Sequence, residues 1–246
     1  MQANGVFATS VITAVTAQNT TAVTAAMDLP VSLIESQFDA VVSDMQISAT
    51  KTGMLSSIEI IEAVANRLEH NDVGPVVVDP VMISKSGYRL LKEDAMDALR
   101  ERILPLAVVL TPNSHEAALL AGMEIRDETD AHEAAVLIHE MGPAAVVIKG
   151  GHFDMEQDAI DVLYDGDDFL ILRSERIDTR HTHGTGCTFA SALTANLAKG
   201  HSLRDAALRS KRYVTEAIRA GLPIGSGHGP TDHFYFLRGR QEFPFG

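Results

Sequence analysis

Residues 144–151 read Ala-Ala-Val-Val-Ile-Lys-Gly-Gly, an unbroken apolar run that ends on a lysine and two glycines. Residues 75–79, Pro-Val-Val-Val-Asp, repeat the scheme. Short β-branched runs closed by a charge and bounded by Gly or Pro read as strands buried on both faces. Working outward, Val6 to Thr16 reads as another buried strand, with shorter ones at Ile47 to Thr52 and Leu106 to Leu110. Helical periodicity fills the gaps. Pro30 opens a helix through about Asp44, with Val31, Ile34, Phe38 and Val41/Val42 on one face. Ser57 to Leu68, Leu91 to Ile103, Asn113 to Leu120 and Ala131 to Met141 follow. Strand alternating with helix predicts an α/β fold, a mostly parallel central sheet with helices on both faces. The pattern then changes. Ala159 to Tyr164 and Phe169 to Arg173 flank Asp165-Gly166-Asp167-Asp168, which predicts an antiparallel edge hairpin. Helices at Thr188 to Ala198 and Leu203 to Ala220 close the pattern. No repeat and no Gly/Ser-rich linker divides the chain, so residues 1–246 are expected to form one domain.

Composition narrows the function. The chain is 46% hydrophobic and 22% charged, ample for a core, and a single Cys excludes an internal disulfide scaffold. A net charge of −13 argues against nucleic acid and anionic membrane surfaces as partners, both of which need a basic face. A small phosphorylated ligand stays open, since a few local donors and a metal override the global field. No apolar run nears the roughly 20 residues of a membrane helix, and no basic segment precedes Lys51. The expected compartment is the cytoplasm, where a lone thiol stays reduced.

Open α/β sheets bind ligands at the carboxyl ends of their strands. There lie Gln18-Asn19, Lys51 to Met54, Asp79 to Lys85, Thr111 to Glu116, Lys149 to His152 and His181 to Cys187. The last runs His-Thr-His-Gly-Thr-Gly-Cys-Thr into an apolar helix. Two glycines before a helix leave backbone N–H groups that can cradle an anion. Cys187 at that N-terminus is expected to have a pKa below the roughly 8.5 of a free thiol, as a nucleophile or general base. The plain alternative is an inert thiol and a tight turn. Asn113 and Glu116 have the spacing of a capping box, and equally offer an amide and a carboxylate to a hard cation. Lys149 can reach a phosphate, or simply end a strand. Asp79 closes a buried strand, where a carboxylate is costly unless paired or used. No Gly-Lys dipeptide exists, so a Walker A loop is excluded, as are a full G-x-G-x-x-G and a G-x-S-x-G elbow. His181 and His183 lack the companions of a zinc site. A Cys–His–Asn hydrolase has its residue types present, but a glycine anion hole with a lysine and carboxylates fits phosphoryl transfer better.

Together, Thr9 to Thr13, Ala17 to Thr20, Lys51-Thr52-Gly53-Met54-Leu55, Val78 to Met82, Lys85-Ser86-Gly87, Thr111-Pro112-Asn113 with Glu116-Ala117, Lys149 to His152 and His183 to Thr188 resemble hydroxymethylpyrimidine/phosphomethylpyrimidine kinases of the ribokinase-like superfamily. The resemblance runs from about Gln2 to Pro230. It implies an ATP- and magnesium-dependent kinase of thiamine diphosphate biosynthesis, acting on 4-amino-5-hydroxymethyl-2-methylpyrimidine and then on its monophosphate. By resemblance, Cys187 is the base and the amides of Gly184, Thr185 and Gly186 form the anion hole. Gln18 hydrogen-bonds the pyrimidine and Met54 walls its pocket. Asn113 and Glu116 serve magnesium through water, Lys149 contacts nucleotide phosphate, and Asp79 joins that cluster. The resemblance also implies a homodimer, with the sheet-edge hairpin as a candidate interface. The family's opening strand and its glycine loop have no counterpart here, so the sheet is expected to lack its first strand and the pocket a wall. Two other readings stay open: a pyridoxal kinase of the same superfamily, and a pyrimidine-binding paralogue with impaired catalysis.

Overall fold

A computed structural model describes residues 1–83, 87–151 and 158–238. Lys85, Ser86 and His152 of the motifs above lie outside the described residues. Six strands form the main sheet in the order β3 (Thr50–Thr52), β4 (Val76–Val78), β5 (Val109–Leu110), β6 (Val146–Lys149), β7 (Asp158–Tyr164) and β8 (Phe169–Glu175). β3 to β6 are parallel, and β7 and β8 run antiparallel as the edge hairpin. The alternation along each strand explains why both faces are covered. Val76, Val78, Leu110, Val146 and Ile148 pack on one face with residues of α2 (Ile58–His70), α4 (Ser114–Ala121) and α5 (Glu128–His139). Val77, Val109 and Val147 face the other way, against Phe189 and Leu193 of α6 (Thr185–Ala198) and Val214 of α7 (Leu203–Arg219). Phe189, 1% exposed, is the largest side chain in that layer. Between β4 and β5 the helical stretch changes pitch: a turn at Glu93–Ala95, α3 (Met96–Ala98), a wide turn at Leu99–Ile103 and a tight one at Leu104–Leu106.

The expected buried strand at Val6 to Thr16 is not there. Only Ala14–Gln18 (β1) is extended, and it pairs antiparallel with β2 (Val23–Asp28), which the sequence reading missed. The two make a separate ribbon outside the main sheet. Its composition explains the error, because Ala and Thr alternate with Val and Met, and a β-branched run does not say which sheet it joins. Asn19 makes the turn, its side chain accepting from the amides of Thr21 and Ala22 at 2.9 and 3.0 Å. The ribbon's base is tied to the main sheet by Thr13 Oγ1 donating to the Met54 carbonyl at 2.8 Å. Its tip is held by the His228 amide donating to the Thr20 carbonyl at 2.8 Å. Pro30 is the N-cap of α1 (Val31–Val42), one residue before the first helical position. Among the described residues no helix is long and apolar enough to cross a membrane.

Candidate active site

Parallel strands aim their carboxyl ends at one edge of the sheet, and five of the expected site residues meet there. Asp79 follows β4, 3% exposed. Lys149 ends β6, held in place by its amide donating to the Pro112 carbonyl at 2.9 Å. Its ammonium donates to Asp79 Oδ1 at 2.9 Å. Lys51, the middle residue of β3, puts its ammonium 3.7 Å from Asp79 Oδ2. Thr111 Oγ1 lies 3.5 Å from Asp79 Oδ1. One carboxylate thus sits between two lysines from opposite sides of the sheet edge.

Asn113 and Glu116 do form the capping box: Asn113 Oδ1 accepts from the Glu116 amide, and Glu116 Oε2 from the Asn113 amide, both at 2.9 Å. The same contacts hold the Glu116 carboxylate inward, 6% exposed, beside Asp79 and Lys149. Burial pushes the Glu116 carboxyl up to about 7; Lys149 pulls it down, and Asp79 pushes it further up. The Lys149 ammonium loses hydration too, but Asp79 and Glu116 outweigh that loss and raise its pKa. Asp79 is also costly to bury, yet the two lysines hold its carboxyl below the usual range.

α6 supplies the anion cradle. Gly184 caps it with φ of 77°, the left-handed region that glycine enters freely, and no side chain closes the helix end. Thr185's amide makes a long bond to the Thr182 carbonyl at 3.4 Å, and Thr188's bonds to Gly184 at 2.8 Å. The amides of Gly186 and Cys187 find no carbonyl partner among the described residues. The Gly184 amide finds none either, so Gly184 and Gly186 of the expected set are open, while Thr185's amide is drawn into the turn at Thr182. A Cβ on Gly186 would lie 2.9 Å from Lys149 Nζ, so the buried ammonium stands directly at the open helix mouth.

Cys187 is exposed on the first turn. Its thiol does not behave as expected. Surrounding protein removes hydration from the thiolate and Asp79 repels it, so the pKa is raised above that of an ordinary thiol, against the pull of Lys51 and Lys149. The sequence reading counted the helix dipole but not the carboxylate four strands' worth of chain away. Gln18 ends β1, exposed and next to a register shift, and no hydrogen bond or ion pair joins it to the cluster. Met54, half-buried, follows Lys51 and Gly53 at the ribbon's base. Lys51 received no role from sequence. The available signal was a lysine close to the carboxyl end of an expected strand, one residue short of the place Lys149 holds.

Magnesium takes oxygen ligands and keeps several waters, so one or two carboxylates beside phosphates suffice. The residues fit such an ion. Asp79 Oδ2 is buried without a hydrogen-bond partner, and the cost of ionising the buried Glu116 carboxyl, which burial and then Asp79 lift to about 7, is relieved by a cation.

The family described as "Phosphomethylpyrimidine kinase" matches residues 1–232. A hydroxymethylpyrimidine/phosphomethylpyrimidine kinase of Streptomyces coelicolor is 49% identical over 237 residues, covering 96% of this chain and 87% of the relative. A crystal structure of phosphomethylpyrimidine kinase from Clostridium difficile superposes with a TM-score of 0.78 at 42% identity, covering 88% of this chain and 89% of the other. Bacillus subtilis pyridoxal kinase, solved as an ADP complex, superposes with a TM-score of 0.89 at 37% identity, covering 96% and 90%.

Proposed function

This chain belongs to the phosphomethylpyrimidine kinase family, and from that premise we propose that it moves the γ-phosphoryl group of ATP to 4-amino-5-hydroxymethyl-2-methylpyrimidine and then to the resulting monophosphate. It is a phosphotransferase of thiamine biosynthesis with a ribokinase-like fold. We read residues 1–246 as one kinase domain working in the cytoplasm. The observation that carries the reading is the buried Lys149 ammonium at the uncapped mouth of α6, beside an exposed thiol.

Phosphoryl transfer asks a protein for position and charge neutralisation. The Gly184, Gly186 and Cys187 amides, the α6 dipole and Lys149 receive the negative oxygens of the migrating group. The Cys187 sulfur takes the acceptor's hydroxyl proton as the new P–O bond forms and the bond to ADP breaks. Because that thiol is neutral at rest, turnover of the alcohol rises with pH as the thiolate fraction grows. Glu116, with Asn113 through water and Asp79 beside it, would hold magnesium. Bound there, it would supply positive charge to offset the phosphates and the carboxylates. Gln18 on the ribbon and Met54 at its base flank the pyrimidine, the amide offering a donor and an acceptor to the aminopyrimidine edge.

The ribbon also supplies a face for a second copy. Val15 and Met27 are direct cross-strand partners, 52% and 64% exposed. The expected sheet-edge hairpin is the poorer candidate, since β8 carries Arg173 and Glu175 on its exposed positions. We therefore place a homodimer contact on β1 and β2.

The test is ADP release with hydroxymethylpyrimidine and with pyridoxal side by side. The pyrimidine is expected to be the preferred acceptor, and Cys187→Ala to lower its turnover by about 100-fold or more, the upper part of what a positioned general base contributes. Preference for pyridoxal, or full turnover by the Cys187 variant, overturns the assignment.

A further inference from the structure

Asp79 is shared unequally by its two lysines. Lys149 takes Oδ1 at 2.9 Å, whereas Lys51 stands 3.7 Å from Oδ2, beyond a good hydrogen bond. Lys51 is 11% exposed and donates no hydrogen bond among the described residues. The ammonium is only slightly open to solvent and has no acceptor at hydrogen-bond distance among the described residues, so it keeps donors available for a ligand. Its position is specific. The ammonium folds over Gly53, where an added Cβ would lie 3.2 Å from Nζ. The next residue is Met54, whose carbonyl anchors the ribbon. Lys51 is therefore the cation on the ribbon side of the cleft, and Lys149 the cation at the α6 mouth.

We propose that Lys51 is the specificity residue for the phosphorylated acceptor, binding its phosphate on the ribbon side during the second transfer; this rests on the two-acceptor reading above. The two transfers make different demands. In the first, the nucleophile is an alcohol and the site must remove a proton. In the second, the nucleophile is a phosphate oxygen, already ionised near neutral pH. That oxygen forms the new P–O bond while the bond between γ-phosphorus and the ADP oxygen breaks, leaving its electron pair on ADP. No proton passes to the protein. The need becomes bringing two anionic phosphates together, which takes positive charge on both sides of the reacting phosphorus. Lys149 and the α6 amides serve the donor side. Among the described residues Lys51 is the cation on the other side, with no acceptor at hydrogen-bond distance.

Initial rates of ADP release are measured separately with hydroxymethylpyrimidine and with its monophosphate, for the wild type, Lys51→Met and Lys51→Arg. Lys51→Met is expected to lower kcat/KM for the monophosphate at least about tenfold more than for the alcohol, mainly through KM, as loss of a charge-assisted bond predicts. Lys51→Arg keeps the charge and is expected to recover most of the monophosphate rate. Gly53→Ala, which crowds the ammonium without removing it, is expected to show the same selectivity more mildly. Equal losses for both acceptors in Lys51→Met would make Lys51 only the counter-ion of Asp79 and overturn the proposal, as would no loss. A wild type that turns over neither acceptor refutes the kinase reading instead. Calorimetry of the two acceptors against wild type and Lys51→Met then still decides the proposal: a selective loss of monophosphate affinity supports it, and equal affinities overturn it.

Discussion

Replacing Glu116 by Gln is expected to stabilise the protein above neutral pH while disabling it. The carboxyl has an ordinary midpoint of 4.5 and is pushed up to about 7 by burial, with Asp79 adding to the effect. Between those values the folded protein binds more protons than the unfolded chain, so stability falls as pH rises across the window. At about 1.4 kcal/mol for each tenfold change in proton affinity, the loss by pH 8 is about 3 kcal/mol. Gln carries no charge and escapes it. It cannot accept from both amides that the carboxylate serves, Asn113 at 2.9 Å and Met82 at 3.4 Å, and forfeits about 1 kcal/mol there. The net gain at pH 8 is about 2 kcal/mol, or about 4–8 °C in melting temperature for a chain of this size. Below pH 5 both proteins hold a neutral group, and the advantage vanishes or reverses. The assay is thermal or urea unfolding at pH 5 and pH 8 without nucleotide or metal, beside ADP release with magnesium. A variant less stable than wild type at pH 8, or one whose difference from wild type does not change with pH, refutes the reasoning. Full kinase activity in the variant would remove Glu116 from the magnesium site.

Two further outcomes follow from geometry. Gly186→Ala places a Cβ 2.9 Å from Lys149 Nζ and forces the ammonium off the helix mouth, so kcat/KM for ATP is expected to fall about 10- to 100-fold without loss of thermal stability; unchanged kinetics would show that Lys149 does not serve the nucleotide. Met27→Glu puts a charge on the exposed ribbon face opposite Val15 and is expected to convert a dimer to a monomer in size-exclusion chromatography, an unaltered dimer placing the interface elsewhere.

The parallel sheet was legible because Val76–Val78 and Val146–Lys149 are apolar on both sides of the strand, which only a covered sheet allows. The position of the site followed from it, since Asp79, Asn113 and Lys149 all stand just at or beyond strand ends. Two things were not legible. β1 and β2 are exposed ribbon strands of Ala, Thr and Val, and nothing in so short a run separates them from a core strand. The direction of the Cys187 shift depends first on burial and then on Asp79, more than a hundred residues away in sequence, both of which a reading of the helix start alone leaves out. Local rules predicted a helix dipole pulling the thiol down; the fold packed protein around it and put a carboxylate beside it.

The capping box and the metal reading of Asn113 and Glu116, rivals when only spacing is known, turn out to be one arrangement. A cap that merely ended a helix would gain most from a solvated carboxylate, which costs nothing to ionise. Glu116 is instead 6% exposed, beside Asp79 and Lys149, at a cost to stability that grows with pH. The reciprocal bonds with Asn113 supply what keeps it there: two short contacts that fix the carboxylate's position and direction against its own electrostatic preference. Lys149 offsets part of the charge but is already bonded to Asp79 Oδ1, and Asp79 Oδ2 has no donor. The cluster is thus held in place with one carboxylate oxygen undonated, while the Lys51 ammonium and the open α6 amides have no acceptor among the described residues. A site unsatisfied in both senses is preorganised for a ligand that brings both, and magnesium-bound nucleotide does so.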